Sequence, residues 1–575
     1  MDKHGAAHAL EQIASYLELK GDNEFRVRAF RNAAVVVADY AGDFSDAVRT
    51  GALGDEVGIG PGTLDVVREV VATGRSRTLD ELKREVPAGL VEMLRISGLG
   101  VLKVRAIHEQ LGIATVAELE DAARDGRLAH LPRFGEKTAA KVLRGIAYLR
   151  RTGEYHLFHH AWRQAEHLAQ SMRGLPGVQA VEIAGSVRRR CELVRDVDLV
   201  VAATSAPRDV SERLAGFSGV RDVVGTGEAA FTVHFDDGIT TDVYVTSPGA
   251  FGLALLRATG SAAHLAQLDA VARERGAAFS ADALRRRGAV VPSPDEASAY
   301  AALGLPWIPP ELREGRGEVD LARANRLPAL LERGDLVGLL HCHTVYSDGT
   351  NTVAEIAEAC DAAGYQYVGV TDHSEGSTLT GGLSEEVLAK QHAEIDAYNA
   401  KGGRIRVLKG VEADILADGA LDYTPAFLDR FDFVIGSIHT RVDMDERQMT
   451  ERVLTALDDP HLAILGHPTG RLLLDREAYA IDMHRVIARA AERGVAIEIN
   501  ADPQRLDLDW RLCAEAKAAG VRIPIGADAH NVAGLANVDI GVGIARKAGL
   551  GKDDVLNARN AEGFLEHVTR RRHRG

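Results

Sequence analysis

The 575-residue chain has only four cysteines, Cys191, Cys342, Cys360 and Cys513. They are too few and too scattered for a disulfide framework or a thiolate zinc site, and they fit a reducing compartment. Long apolar runs are also missing. Nothing approaches the roughly 18 apolar residues that a membrane span needs, and the start, Met1-Asp2-Lys3-His4, lacks a signal peptide's apolar core. A cytoplasmic protein is expected. Low-complexity sequence is absent, apart from the basic end Arg570-Arg571-Arg572-His573-Arg574, which is expected to be a solvated, frayed terminus. The chain also lacks an excess of positive charge: 68 Lys and Arg stand against 83 Asp and Glu, a net −15 that taken alone argues against nucleic acid. The distribution weakens that objection. Residues 1–337 carry 42 basic and 46 acidic side chains, so −4 of the charge sits there and −11 in the last 238 residues. Residues 101–200 hold 16 basic against 12 acidic. A carboxylate-rich metal domain behind a near-neutral, locally basic front half has this profile.

The length predicts three or four domains. The first 150 residues read as helical, broken by short turns. Gly58-Ile59-Gly60, Gly98-Leu99-Gly100 and Pro132-Arg133-Phe134-Gly135 each precede a helix-like run. Their period, near 40 residues, suggests three copies of one helix-turn-helix unit. From about Val181, β-rich runs alternate with helices, as in an α+β domain: Val181–Ala184, Val197–Val201 and Thr241–Val245. The stretch Pro306-Trp307-Ile308-Pro309-Pro310-Glu311 forbids regular structure and reads as a linker. After about Leu336, seven apolar runs alternate with helical patterns: Val337–Leu340, Tyr367–Val370, Arg406–Gly410, Phe433–Ile435, Leu462–Leu465, Val495–Ile499 and Arg522–Ile525. Repeated βα units indicate a barrel or a wound parallel sheet.

Six of the seven runs lead into residues that ligate metals: His341 and His343, Asp372-His373, Glu412, His439, His467, and Asp528 with His530. Strand ends of a parallel barrel converge on one face, so ligands far apart in sequence meet in one pocket. In His341-Cys342-His343 the imidazoles are two apart and point to the same side. Asp528-Ala529-His530 repeats the spacing. One strand-end histidine alone is more often structural; a whole set is not. Mixed imidazole and carboxylate donors suit zinc, manganese or iron(II) better than magnesium or calcium. Clustered divalent ions hydrolyse phosphate esters.

With Ser347-Asp348-Gly349, Thr371-Asp372-His373-Ser374, Gly410-Val411-Glu412, Ser437-Ile438-His439 and Gly466-His467-Pro468, these motifs resemble the PHP (polymerase and histidinol phosphatase) family over roughly residues 336–570. The resemblance implies a distorted (β/α)7 barrel with up to three ions, manganese or zinc, with iron also compatible. By it, His341, His343, Glu412 and Asp528 take one ion, bridging Glu412 with His439 and His467 a second, and Asp348, His373 and His530 a third. Asp372 becomes a strand-end support, and Glu498 receives no place.

In the front half, Gly185-Ser186-Val187-Arg188-Arg189 precedes Asp196-Val197-Asp198, and Asp242 follows on a later strand. Asp196 and Asp198 project from one strand face, as two-metal phosphoryl transfer requires. Asp-x-Asp alone is a weak signal; the upstream Gly-Ser and the third aspartate strengthen it. The segment looks like the nucleotidyltransferase palm of family X DNA polymerases, whose bacterial members carry a C-terminal PHP domain. The resemblance then spans nearly the whole chain. It implies a multidomain protein with all-α helix-hairpin-helix domains, an α+β palm and thumb, and the barrel. The division expected is an N-terminal helical domain with the first hairpin at 1–85, helical fingers with further hairpins at 86–155, palm 156–245, thumb 246–315, linker 316–335 and PHP domain 336–575.

By the same resemblance, Asp196, Asp198 and Asp242 hold two magnesium or manganese ions, and Ser186, Arg189, Thr259 and Gly260 contact the incoming deoxynucleoside triphosphate. Gapped, nicked or primer-template DNA is the expected partner. Turns at Gly58, Gly60, Gly98, Gly100 and Gly135 present backbone N–H groups to its phosphates, with Lys103, Arg105, Lys137 and Lys141 adding charge. No membrane partner is expected, and a monomer is favoured. Some positions depart from the family pattern. Arg257 and Ala258 stand where an aromatic pair precedes Thr259-Gly260-Ser261, and Leu265 and Asp269 replace a hydrogen-bonding residue and a cation. Bulky Arg195 precedes the first catalytic aspartate and is expected to approach the carboxylates. Val66 stands where animal relatives carry a Schiff-base lysine, so no lyase is expected. The leading expectation is a DNA repair enzyme that fills gaps with its palm and acts as a 3′-5′ exonuclease or 3′-end phosphoesterase through its barrel. The alternative is a PHP nuclease or phosphoesterase whose palm only docks DNA. A non-catalytic DNA scaffold and a small-molecule phosphatase are further readings.

Overall fold

The computed structural model describes residues 3–40, 43–96, 98–217, 220–225, 229–235, 238–280, 283–376 and 381–572. His573 and Arg574 of the basic end lie outside them. Among the described residues no helix is long and apolar enough to cross a membrane.

Nine α-helices fill the described part of the first 152 residues, from Lys3–Lys20 to Glu136–Thr152. They bury a single apolar core, which runs from Leu10, Ile13 and Leu17 to Val142, Ile146 and Leu149. The two stretches expected as separate helical domains therefore share one interior. The three turns are alike in backbone. Extended Gly60, Gly100 and Gly135 each cap the following helix, Pro61–Thr73, Val101–Leu111 or Glu136–Thr152. Two residues earlier the chain is left-handed, at Gly58 (φ +104°), Gly98 (φ +86°) and, in the third copy, Arg133 (φ +69°). Arg133 thus adopts a conformation that glycine takes with less strain.

The palm is a five-stranded sheet in the order Val178–Ile183, Val197–Ala203, Thr240–Thr246, Ala230–Phe235, Val220–Gly225. Helix Phe158–Arg173 supplies Ala161, Ala165, Leu168 and Met172 to its core. The thumb packs helices Phe251–Thr259, Ala262–Glu274 and Glu296–Ala302 with a small antiparallel sheet. Residues 316–335, expected as a linker, carry helix Glu318–Arg323, whose Val319 and Ala322 belong to the thumb core. Glu318 also accepts a 2.6 Å hydrogen bond from buried His264.

The C-terminal sheet is wholly parallel: Gly338–Cys342, Tyr367–Val370, Arg406–Asp414, Phe433–Ser437, Leu462–Leu465, then Ala496–Ile497 and Ile499–Asn500, and finally Ile525–Ala529. The two short pieces flank Glu498 in one run of chain, pair with different neighbours and so close the barrel. Counted as one they make seven strands. Gly338 is required where it stands, because a Cβ would fall 1.9 Å from the Tyr367 ring. The last strand begins at Ile525 rather than Arg522, because Pro524 has no N–H to donate to a ladder.

Candidate metal centres

All nine residues singled out as barrel ligands lie at the C-terminal mouth, in four overlapping groups whose donor atoms lie within 4.8 Å of one another. The groups are His343, Asp348, His373, His530; His341, Glu412, His467; His341, His343, Asp528; and His373, Glu412, His439. Glu412 is the hub: its oxygens lie 2.9 Å from His467 Nε2, 3.3 Å from His341 Nε2, 3.4 Å from His439 Nε2 and 2.8 Å from His373 Nδ1. Asp348 stands 3.5 Å from His373 Nε2 and 3.4 Å from His530 Nε2. His343 Nε2 is 3.2 Å from Asp528 Oδ1. Burial opposes charge on Glu412 and Asp528. His439, His341 and His373 around the first, and His341, His343 and Arg505 around the second, hold both carboxyls well below the usual range.

Several donors are oriented from behind. His341 Nδ1 lies 2.7 Å from Glu498 Oε1, and His439 Nδ1 lies 3.0 Å from Asp414 Oδ1, so each ring turns Nε2 into the site. Asn500 Nδ2 donates to Asp528 Oδ2 at 3.0 Å, and Arg505 Nε lies 3.2 Å from the same oxygen. Asp372 accepts from Thr344 N at 2.7 Å and from Thr344 Oγ1, Ser347 Oγ and Gln391 Nε2, and so braces the loop that carries Asp348. His341 Nε2, His343 Nδ1, His373 Nδ1 and Glu412 Oε2 are buried and, close as some of them lie, make no well-aligned hydrogen bond. Buried polar atoms of this kind fit divalent ions. Three of the nine residues also hold left-handed backbone: His341 (φ +62°), His467 (φ +22°) and Asp528 (φ +49°). Strain in non-glycine residues gathers at functional sites. Glu498 found no role from sequence, and Asp414, Asn500 and Arg505 were missed. Two-residue spacing along a strand, Glu412 to Asp414 and Glu498 to Asn500, was the signal available.

In the palm, Asp198 and Asp242 face each other across parallel strands. Thr232 Oγ1 donates to Asp242 Oδ1 at 2.5 Å, and Tyr244 Oη lies 3.5 Å from Asp198 Oδ1. Burial first, then Asp196 and Asp242, push Asp198 up to about 7. Burial and Asp242 also raise Asp196. Gly185 (φ +62°) has no room for a side chain, since a Cβ would lie 1.7 Å from Asp198 Oδ2. Arg189 donates from Nη1 to the Thr259 carbonyl at 2.8 Å and from Nε to Glu314 at 3.0 Å. The buried Thr259 hydroxyl accepts from Arg188 Nη1 at 2.9 Å.

Family models match along the chain: "Helix-hairpin-helix domain" over residues 1–76, "SAM-like Helix-hairpin-helix tandem" over 90–147, "DNA polymerase beta thumb" over 254–314 and "PHP domain" over 340–502. The protein named "DNA polymerase/3'-5' exonuclease PolX" of Bacillus subtilis (strain 168) is 37% identical over 573 residues, covering 98% of this chain and 100% of that protein. The chain belongs to the family X DNA polymerases that carry a PHP domain. Among shorter relatives, a protein named "Probable phosphatase" of Caldicellulosiruptor saccharolyticus is 29% identical over 242 residues, 40% of this chain and 94% of that one. Another, of Caldanaerobacter subterraneus subsp. tengcongensis, is 29% identical over 229 residues, 38% and 85% respectively.

Against that family X pattern the unusual palm and thumb residues have clear local partners. Arg195, expected near the carboxylates, has its guanidinium 4.8 Å from the centre of the Tyr155 ring. Arg257 donates from Nη1 to the Ser280 carbonyl at 2.6 Å. Ala258 packs against the small cluster of Ala184, Val200 and Leu255, and Leu265 against the thumb core. At the hairpins, Lys137 and Lys141 are exposed, whereas Lys103 Nζ donates to its own turn at Gly98 O, 2.8 Å away. Val57 and Leu102, beside the first two turns, are 94% and 80% exposed.

Proposed function

We propose that this chain is a DNA repair enzyme: a gap-filling DNA polymerase whose PHP domain is a metal-dependent 3′-5′ exonuclease and 3′-end phosphoesterase. The observation that supports the reading is that nine barrel donors gather in overlapping groups while Asp198 stands opposite Asp242 in the palm of the same chain, behind three helix hairpins. The domain limits proposed are those expected from sequence, with 1–85 and 86–155 joined over their common core and residues 318–323 reassigned to the thumb. Asp196, Asp198 and Asp242 would hold magnesium or manganese, and the nine barrel residues manganese, zinc or iron, divided among three ions as the family resemblance implies. Bound there, such ions supply activation of a nucleophile and a clamp on phosphate oxygens.

The remaining work falls to this chain's own groups. The N-termini of the helices after Gly60, Gly100 and Gly135 bind DNA phosphates through backbone N–H groups, with Lys137 adding charge; such contacts are blind to sequence. Ser186 and Arg189 hold the triphosphate, and Asp242 helps to activate the primer 3′-hydroxyl. Glu498 and Asp414 keep Nε2 of His341 and His439 turned inward, and Asp372 holds the Asp348 loop. The alternative, a palm that only docks DNA, is favoured by Arg257 and Ala258, which stand where the family resemblance implies an aromatic pair.

One experiment separates the two readings. His341→Ala, expected to silence the barrel, is given a 5′-labelled primer in a one-nucleotide gap with manganese and all four deoxynucleotides. Extension by one nucleotide that disappears on adding Asp198→Ala is the expected result. No extension with DNA binding intact would sink the polymerase reading and leave a DNA-docked phosphoesterase.

A further inference from the structure

The barrel helix Val538–Lys547 lies against palm and thumb, and one face of it makes the contact. Ile540 packs on the palm core, a Cβ on Gly543 would come within 3.0 Å of the Arg190 side chain, and Arg546 Nε reaches Glu311 Oε1 at 2.7 Å. Positions 540, 543 and 547 follow helical spacing. Lys547 ends this face with a side chain only 1% exposed, and a buried ammonium requires partners. It donates to the backbone carbonyl of Arg189 at 3.0 Å, pairs with Glu314, and lies 4.7 Å from the centre of the Trp510 ring. Glu314 in turn accepts from Arg189 Nε.

Arg189 is therefore fixed twice from outside the palm: its main chain by a barrel lysine, its side chain by a thumb carboxylate that the same lysine pairs. The balance of charge matters. Arg189 and Glu314 alone sum to zero, and a neutral pair offers a polyanion little. With Lys547 the trio carries a net +1, buried enough to act over a short distance. The turn from Gly185 to Arg190, which presents Ser186, is anchored through the same carbonyl.

We infer that Lys547, a residue of the PHP barrel, is a positioning residue for triphosphate binding in the palm. The inference rests on the reading of Ser186 and Arg189 as triphosphate contacts. Lys547→Met in the full chain should raise KM for the deoxynucleoside triphosphate about tenfold, the scale of one lost charge-assisted contact. Gap filling is measured with the barrel silenced by His341→Ala. kcat should stay within about twofold, and Lys547→Arg should recover most of the loss. Barrel hydrolysis, measured in the chain that keeps His341, should be unaffected. Should the methionine variant fail to fold, Lys547→Gln, which keeps a donor, should show a smaller rise in KM. An unchanged KM in a folded Lys547→Met or Lys547→Gln variant overturns the inference, as does a parallel loss of extension and hydrolysis in the Gln variant. Equilibrium binding of the triphosphate to the parent chain separates the two levels of failure. A parent that neither extends nor binds it rejects the polymerase reading and this inference together. A parent that does both while the Met and Gln variants keep its KM rejects only the inference.

Discussion

In the barrel, six histidines stand among the carboxylates of Asp348, Glu412 and Asp528, and burial is outweighed so that Glu412 and Asp528 remain ionised. In the palm, Asp196, Asp198 and Asp242 crowd one another, and burial with mutual repulsion pushes Asp198 up to about 7. The barrel thus carries much of its own compensating charge, and its donors are held by Glu498, Asp414 and Asn500 before anything binds. The palm has neighbours such as Thr232 and Tyr244 instead, and the burial and repulsion that raise Asp198 outweigh the pull of Arg189. One centre is built in advance; on the proposed reading the other would be completed by its substrate.

The comparison can be broken by variants that strike one centre only. The largest effect expected is from Glu412→Ala, which removes the shared hub: hydrolysis of a 3′-labelled strand should fall roughly a thousandfold, the scale of several kcal/mol of charge stabilisation. Retained hydrolysis would mean that the barrel is not the nuclease. Asp198→Ala should abolish gap filling, by roughly a hundredfold or more, while hydrolysis by the same preparation continues; a matching loss of both would show that the centres are not independent. Glu498→Gln leaves every proposed ligand in place. It should weaken metal retention by about 10–100-fold, read by competition with a chelator, because His341 loses the carboxylate behind it. Wild-type retention would make Glu498 a bystander.

A last contrast lies in stability in acid. His392, buried against the Phe431 ring at 4.9 Å, is lowered to about 4 by burial and then by Lys409 and Arg430. Its unfolded counterpart takes up a proton at higher pH, so this group's contribution to the barrel, at most about 3 kcal/mol, is lost as pH falls from about 6.5 towards 4. Glu296 in the thumb behaves differently. Burial raises it, but Arg313 and Arg188 outweigh that and leave it at about 2. Its contribution is complete above about 4.5 and is lost only as pH falls towards 2. Hydrogen exchange should therefore show the barrel weakening first on acidification, and His392→Phe should flatten that first phase. Thumb amides that open before those of the barrel would refute the ordering.

Much of this architecture was visible in the chain. A parallel barrel buries its strands on both sides, so each strand reads as an apolar run, and residues at its C-terminal end stand out as polar punctuation. His341, His373, Glu412 and Asp528 could be seen for that reason. Asp198 was visible because its strand partner Asp242 also lies in a β-rich run. What could not be seen depends on elements distant in sequence. Lys547 reads as one more charge at a helix end, and only the seam with the palm makes it buried. The left-handed backbone at His341 and Asp528 has no glycine to announce it. The common core beneath the helical stretches 1–85 and 86–155 escaped because both halves share one composition and one period. The helix at 318–323 was hidden by the prolines before it.

The seam between palm and barrel also decides whether the chain is modular. Leu157 of the palm side lies in the barrel's core cluster, Leu193 packs against it, and Ile540 returns the contact into the palm. Arg511 of the barrel pairs with Glu192 at 2.7 Å. A cut near residue 336 would bare apolar surface on both fragments and leave the Arg189 carbonyl and Glu314 without their ammonium. The two activities are coded in separate stretches of sequence, but the folded molecule does not divide there.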